Sequence, residues 1–174
     1  MLIFPEVRQT YNYDCGAKVT QAVLAYYGID IREDIIIKLV GTKRSGTPIK
    51  GIIRAFKKHG LKYKVEKSTI NKIRKCINKK IPVILVLQAW TDKKNVNWET
   101  DWIDGHYVIA IGYDKNRIYF EDPSSVLRTF LTYDELKERW HGIDPESGKK
   151  YINYGIIVYG KRNTFSFKKA VRMG

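Results

Sequence analysis

A thiol, an imidazole, a carboxylate and a primary amide are the groups in this chain whose types and order could do chemistry together. Cys15 follows the turn-forming run Tyr11-Asn12-Tyr13-Asp14 and opens an apolar-periodic stretch, Ala17 to Tyr27, that Gly28 closes. Asp14 is a suitable N-cap and Gly28 a suitable stop, so the spacing predicts Cys15 in the first turn of a helix. At that place the helix dipole and unpaired backbone N–H groups favour the thiolate, the form that acts as a nucleophile. Cysteine is also among the most buried residue types. A base within reach is what separates a reactive thiol from a core one.

Three histidines are present, His59, His106 and His141. His59 falls at a helix C-terminus beside Lys57 and Lys58, where an imidazolium balances the dipole. His141 follows Trp140 just before Gly142 and is expected in a surface loop. His106 differs, because Asp104-Gly105 precedes it and the apolar run Tyr107–Ile111 follows. It therefore stands at the mouth of a strand, held by the strand and open to a loop. A hairpin turning at about residues 113–116 brings His106 opposite about residue 123 on the next strand, which ends in Glu121-Asp122-Pro123. Asp122 is thereby placed to accept from the imidazole and orient it, the role that a Cys–His pair requires of a third group. Side chains alternate along a strand, so only one of Glu121 and Asp122 can face the ring; Asp122 is preferred, with Glu121 kept as the alternative. Gln9, six positions before Cys15, can offer its amide to the oxyanion of a tetrahedral intermediate, together with the Cys15 backbone N–H.

The elements that must position these groups divide the chain by period. Helical spacing runs over Ile31–Val40, ended by Gly41, and over Ile49–His59 after Thr47-Pro48, ended by Gly60. Leu61–Lys67 then alternates strictly, as a half-buried strand does. Ser68–Lys80 reads as a helix with Cys76 on its apolar, core-facing side. Pro82–Leu87, Gly105–Gly112, Arg117–Glu121 and Tyr154–Tyr159 read as strands, and Thr132–Trp140 as a short helix with Thr132 and Glu135 spaced as a capping box. Helices first and antiparallel strands afterwards indicate an α+β fold. One domain over 1–160 is expected, followed by a basic tail, 161–174.

The connection from Gln88 to Asp104 is longer than a simple strand link. It carries Trp90, Trp98 and Trp102, which can line a subsite for an extended peptide or cover the core edge. Its carboxylates lack EF-hand spacing, and neither a metal nor another cofactor is expected.

Composition bounds the remaining classes. The 174 residues suffice for one core, and 44% of them are hydrophobic, yet no apolar run approaches the ~20 residues of a membrane span. The N-terminus has no secretory pattern, and two cysteines make no disulfide framework, so a reducing cytoplasmic setting is expected. Net charge is +14, from 32 Lys and Arg against 18 Asp and Glu. The basic residues are scattered in ones and twos without a nucleic-acid motif. A solvated basic surface is therefore expected, with no specific nucleic-acid partner.

Taken together, Gln9, Asp14-Cys15-Gly16-Ala17, Ala25-Tyr26-Tyr27-Gly28, Gly46–Gly51, Gly105-His106-Tyr107-Val108-Ile109, Gly112-Tyr113-Asp114 and Glu121-Asp122-Pro123 resemble the motifs of the bacteriocin-processing, double-glycine-leader cysteine peptidases. The resemblance covers roughly residues 5–160. It implies a papain-like fold, with a helical lobe carrying the cysteine and an antiparallel sheet lobe carrying histidine and aspartate. It further implies that Cys15 is nucleophile, His106 general base and then acid, Asp122 orienter and Gln9 part of the oxyanion hole. The implied substrate is a peptide cut after a small, often Gly-Gly, pair. The best-known members precede a peptide exporter; this chain looks more like the stand-alone ones. Two other functions use the same residues: acyl or amide transfer, and a non-catalytic papain-like module that binds a peptide or partner.

Overall fold

The fold is seen in a computed structural model, which describes residues 1–160 and, beyond them, 166, 168, 170, 172 and 173. The expected basic tail, 161–174, falls for the most part outside the described residues.

Three helices come first: α1 (Cys15–Tyr26), α2 (Glu33–Val40) and α3 (Ile49–Lys58). Each buries the apolar face its spacing defines, with Val23 and Leu24 of α1, Ile36 and Val40 of α2, and Ile52, Ala55 and Phe56 of α3 fully buried. The α2–α3 approach is close enough to require glycine. A Cβ on Gly51 would stand 1.7 Å from the Val40 carbonyl oxygen. Gly41 ends α2 in the left-handed conformation, φ 70°, as its place in the sequence predicts.

The rest of the chain builds a sheet. In order come β1 (Lys62–Lys67), α4 (Ile70–Asn78), β2 (Val83–Gln88), β3 (Gly105–Tyr113), β4 (Arg117–Glu121), β5 (Thr129–Thr132), α5 (Tyr133–Arg139), β6 (His141–Ile143), β7 (Lys150–Ile152) and β8 (Tyr154–Tyr159). Six strands form one sheet in the order β1-β8-β2-β3-β4-β5, while β6 and β7 pair separately. All neighbours are antiparallel. The fold is thus α+β, a helical lobe against an antiparallel sheet lobe. β2 lies inside the sheet and is buried along its whole length, which is why it reads as a continuous apolar run rather than an alternation. Thr132 and Glu135 form the expected capping box at α5.

Three strands were not expected. β5 is a four-residue edge strand, and β6 and β7 have three residues each, too short for a periodic signal. β6 corrects the reading of His141. Instead of lying in a surface loop, His141 is buried. Gly142 lets β6 press onto β2, since a Cβ there would meet Val86 Cγ2 at 2.5 Å. The His141 ring is held by the Asp101 carbonyl at 2.6 Å.

The β3–β4 register decides which carboxylate shares a face with His106. Near the turn Tyr113 faces Ile118 and Gly112 faces Tyr119; after a bulge, Ala110 faces Phe120 and Ile109 faces Glu121. Continued one residue, this register sets Asp122 opposite Val108, on the same face as His106. Without the bulge Asp122 would stand opposite Ile109, on the other face. Ile111 is the extra residue, and its carbonyl accepts from the Leu2 N–H at 2.6 Å, so the N-terminal segment braces the bulge.

Candidate active site

The thiol comes from the helical lobe. Cys15 begins α1, and Asp14 occupies the N-cap position without capping, since its side chain accepts no bond from the helix. The fully buried Asp14 carboxylate turns back instead, accepting from the Thr10 and Tyr11 N–H groups at 3.2 Å each. Burial pushes its pKa up, against those two hydrogen bonds and the Lys18 charge. Segment 10–14 is thereby closed into a loop, and among the described residues the first-turn N–H groups of α1 have no side-chain acceptor. Gly16 allows α1 to seat against the sheet lobe: a Cβ there would lie 2.5 Å from Thr47 Cβ and 3.0 Å from the Tyr107 ring.

His106 stands at the start of β3, buried, between Cys15 and Asp122. Its Nε2 lies 2.7 Å from Asp122 Oδ1, and Cys15 stands close enough to act on the charge of the ring. Burial alone would pull its pKa down. The Asp122 carboxylate and Cys15 outweigh burial and push it up to about 9. Asp122 is buried too, which raises a carboxylate, but His106, the Ser124 N–H and the Thr129 hydroxyl hold it below its ordinary value. Its Oδ1 also accepts from the Ser124 N–H at 2.9 Å, and its Oδ2 from Thr129 Oγ1 at 3.1 Å and Trp90 Nε1 at 3.1 Å. Glu121, the alternative, makes no bond to His106. It is buried, its Oε2 without a partner among the described residues, and burial pushes its pKa up to about 7.

Gln9 joins this group through Ser124. The Ser124 hydroxyl donates to Gln9 Oε1 at 3.0 Å, and the Gln9 backbone N–H donates to the Pro123 carbonyl at 2.9 Å. With Oε1 so held, Nε2 donates to the Tyr11 carbonyl at 3.0 Å. An amide nitrogen has two N–H donors, so one is left for another acceptor. Among the described residues no hydrogen bond joins Gln9 to Cys15.

A groove of about 390 Å³ opens beside the thiol, with Cys15, Tyr13, Thr47, Trp102, Tyr107 and Pro145 in its walls. The three tryptophans separate. Trp102 is in this groove, backed by the His141 ring at 4.4 Å and covered by Lys150 Nζ at 4.4 Å. Trp98 lies under Arg139 at 4.1 Å. Trp90 and Trp98 line a larger opening of about 800 Å³ in the β2–β3 loop, which includes neither Cys15 nor His106.

Two residues were not found from the sequence. Asp144 spans the lobes, its Oδ2 accepting from the Ile49 N–H of α3 at 2.7 Å and its Oδ1 from Ser147 N–H at 2.9 Å. An Asp-Pro pair signals a turn, not a partner 95 residues away. Ser124 carries no local pattern at all. Among the described residues no group of three or more His, Cys, Asp or Glu side chains converges as metal ligands do.

Known proteins share this arrangement of chain. Residues 4–144 match the family described as the peptidase C39 family. The peptidase domain of Streptococcus ComA, a bifunctional ABC transporter of quorum sensing, superposes with TM-score 0.65 at 23% identity, over 87% of this chain and 95% of that one. A double-glycine-motif protease from an AMS/PCAT transporter, in complex with its leader peptide, gives 0.63 at 19%, over 90% and 91%. A C39-like protein from Bacillus anthracis gives 0.66 at 16%, over 91% and 95%. An uncharacterised protein of Methanothermobacter thermautotrophicus is 35% identical over 69 residues, 40% of this chain, and the match spans about half of that protein (49%). No helix among the described residues is long and apolar enough to cross a membrane. With a papain-like α+β fold, a cysteine opening the first helix and a family match over most of its length, the chain belongs to the peptidase C39 family of cysteine peptidases.

Proposed function

We propose that this chain hydrolyses peptide bonds through Cys15, His106 and Asp122, with Gln9 serving the oxyanion. The observation that carries the reading is the buried His106, its Nε2 2.7 Å from Asp122 and its charge favoured by the neighbouring Cys15 as well as by Asp122.

The geometry suggests the order of steps. With Nε2 on Asp122, the His106 Nδ1 serves the thiol. Transfer of the Cys15 proton to Nδ1 gives a thiolate–imidazolium pair that the Asp122 carboxylate stabilises. The Cys15 sulfur attacks the carbonyl carbon of the scissile bond, and the oxygen takes the negative charge. The uncapped N–H groups at the start of α1 and the second N–H of Gln9 donate to that oxygen. His106 then returns its proton to the leaving amine, the C–N bond breaks, and an acyl-enzyme thioester remains. Water, deprotonated by His106, attacks the thioester and frees the acid and the thiol. Ser124 ties Gln9 to Asp122, so oxyanion donor and orienter are fixed to one another.

For the substrate we propose a peptide lying in the Cys15 groove, cut after a small-residue pair of the Gly-Gly type. The groove's aromatic walls, Trp102 and Tyr107, support an extended peptide, and one structural neighbour is a double-glycine protease holding its leader. Processing of a bacteriocin-type precursor is the corresponding role. A cytoplasmic setting suits the free thiols of Cys15 and Cys76. The test is cleavage of a peptide library by the wild type and by Cys15→Ala. Turnover lost in a folded Cys15→Ala is the expected result, and turnover retained there removes the mechanism.

A further inference from the structure

Four donors fix the Asp122 carboxylate, and one of them comes from an unexpected place. His106, Ser124 and Thr129 belong to the strands and turn around Asp122 itself. The Trp90 indole reaches in from the β2–β3 loop to give its only N–H to Oδ2 at 3.1 Å. The Trp90 backbone is left-handed, φ 59°, a conformation that bulky residues rarely adopt. Trp90 is 58% exposed, whereas Asp122 is 4% exposed. A large aromatic kept at the surface on such a backbone, with its one donor given to a buried carboxylate, is not accounted for by core packing.

We propose that Trp90 is a positioning residue for the His106–Asp122 pair, a role that rests on reading Cys15, His106 and Asp122 as the working triad. Its N–H locks the plane of the carboxylate, and its ring keeps water off an ion pair that water would screen. The same loop returns to the groove at Trp102 and runs directly into His106. Lys93 ties that return together, bonding Asp101 at 3.1 Å and Asp104 at 2.8 Å. One segment thus walls the groove and sets the orienter. This assigns Trp90 a place behind the histidine instead of the peptide-binding role its sequence context suggests.

The experiment measures alkylation of Cys15 by iodoacetamide from about pH 5 to 10, read peptide by peptide in the mass spectrometer, with glutathione as the ordinary thiol. Trp90→Phe keeps a ring and loses the donor; Trp90→Ala loses both. Cys76 reports the fold, because it is buried and burial pushes its pKa up, so it stays slow while the chain is folded. The expected result is a Cys15 rate at about pH 7 lowered roughly tenfold in Trp90→Phe, the size of one lost hydrogen bond to a charged group. The rise of the rate moves to higher pH, further still in Trp90→Ala, with Cys76 slow throughout. A Cys15 profile unchanged in both variants overturns the proposal, because a ring that only contacts substrate or covers the surface does not alter reaction with so small a reagent. A wild-type Cys15 no faster than glutathione overturns the triad beneath it as well, and so is told apart from failure of the Trp90 role alone.

Discussion

Asp122→Asn is the perturbation whose consequence can be worked furthest. His106 is buried, its side chain 6% exposed, and burial by itself pulls the imidazolium down; Asp122 and Cys15 raise it to about 9 from an ordinary 6.5. That difference corresponds to about 3 kcal/mol in favour of the charged ring. Asparagine leaves the burial and the Cys15 interaction and removes the Asp122 charge, so the His106 titration should fall towards its ordinary value. The amide brings a second cost. If its oxygen keeps His106, its NH2 confronts the Trp90 N–H and the Thr129 hydroxyl at the former Oδ2. The hydroxyl can rotate, but the indole cannot. A group whose folded pKa is raised gives stability that is present below the unfolded pKa and lost as pH rises through the folded one. Wild-type stability should therefore fall between about pH 6.5 and 9 by up to about 3 kcal/mol from Asp122 and Cys15 together, and Asp122→Asn should start lower and lose the Asp122 share of that slope. Urea unfolding at steps across the same pH range, with NMR titration of the His106 ring, reads both. An unchanged titration and an unchanged slope in Asp122→Asn would refute the coupling.

Other substitutions test other parts of the structure. Glu121 is buried with one oxygen unpartnered among the described residues and keeps its proton up to about pH 7, so its stability contribution is lost as pH rises from about 4.5 through 7. Glu121→Gln should be more stable than wild type by roughly 1–3 kcal/mol at about pH 8, a gap that shrinks at about pH 5 in the same unfolding assay. Asp144→Ala orphans the Ile49 N–H between the lobes and should cost about 2–3 kcal/mol, measured by urea denaturation. Trp102→Ala should raise KM for a cleaved peptide while leaving Cys15 alkylation at its wild-type rate, because Trp102 walls the groove and its ring rests on His141 and Lys150.

The sequence showed most plainly what local spacing encodes. The glycine at the end of α2 and the α5 capping box are set by neighbours within a turn, and both are where the residues place them; α1 starts at Cys15 as expected, but Asp14 does not cap it. The pairing of His106 with Asp122 was legible because a hairpin turn fixes register, yet the face was not. The bulge at Ile111 decides that, and its brace, Leu2, is more than a hundred residues away in sequence. His141 looked like a surface residue because a three-residue strand has no period, and its burial depends on Gly142 fitting against β2. The three tryptophans formed one cluster in the sequence and hold three different places in the fold. Their separation comes from how the β2–β3 loop folds back on Asp122, on Arg139 and on the groove, which no spacing within the loop records.

Activation of Cys15 by His106 is read from the pH dependence of iodoacetamide alkylation at Cys15 and Cys76 separately, in wild type and His106→Ala. Wild-type Cys15 should react fast well below about pH 8, the range of an ordinary thiol, His106→Ala should remove this advantage, and buried Cys76 should stay slow in both. A Cys15 that reacts no faster than an ordinary thiol, or equally fast without His106, would contradict that activation.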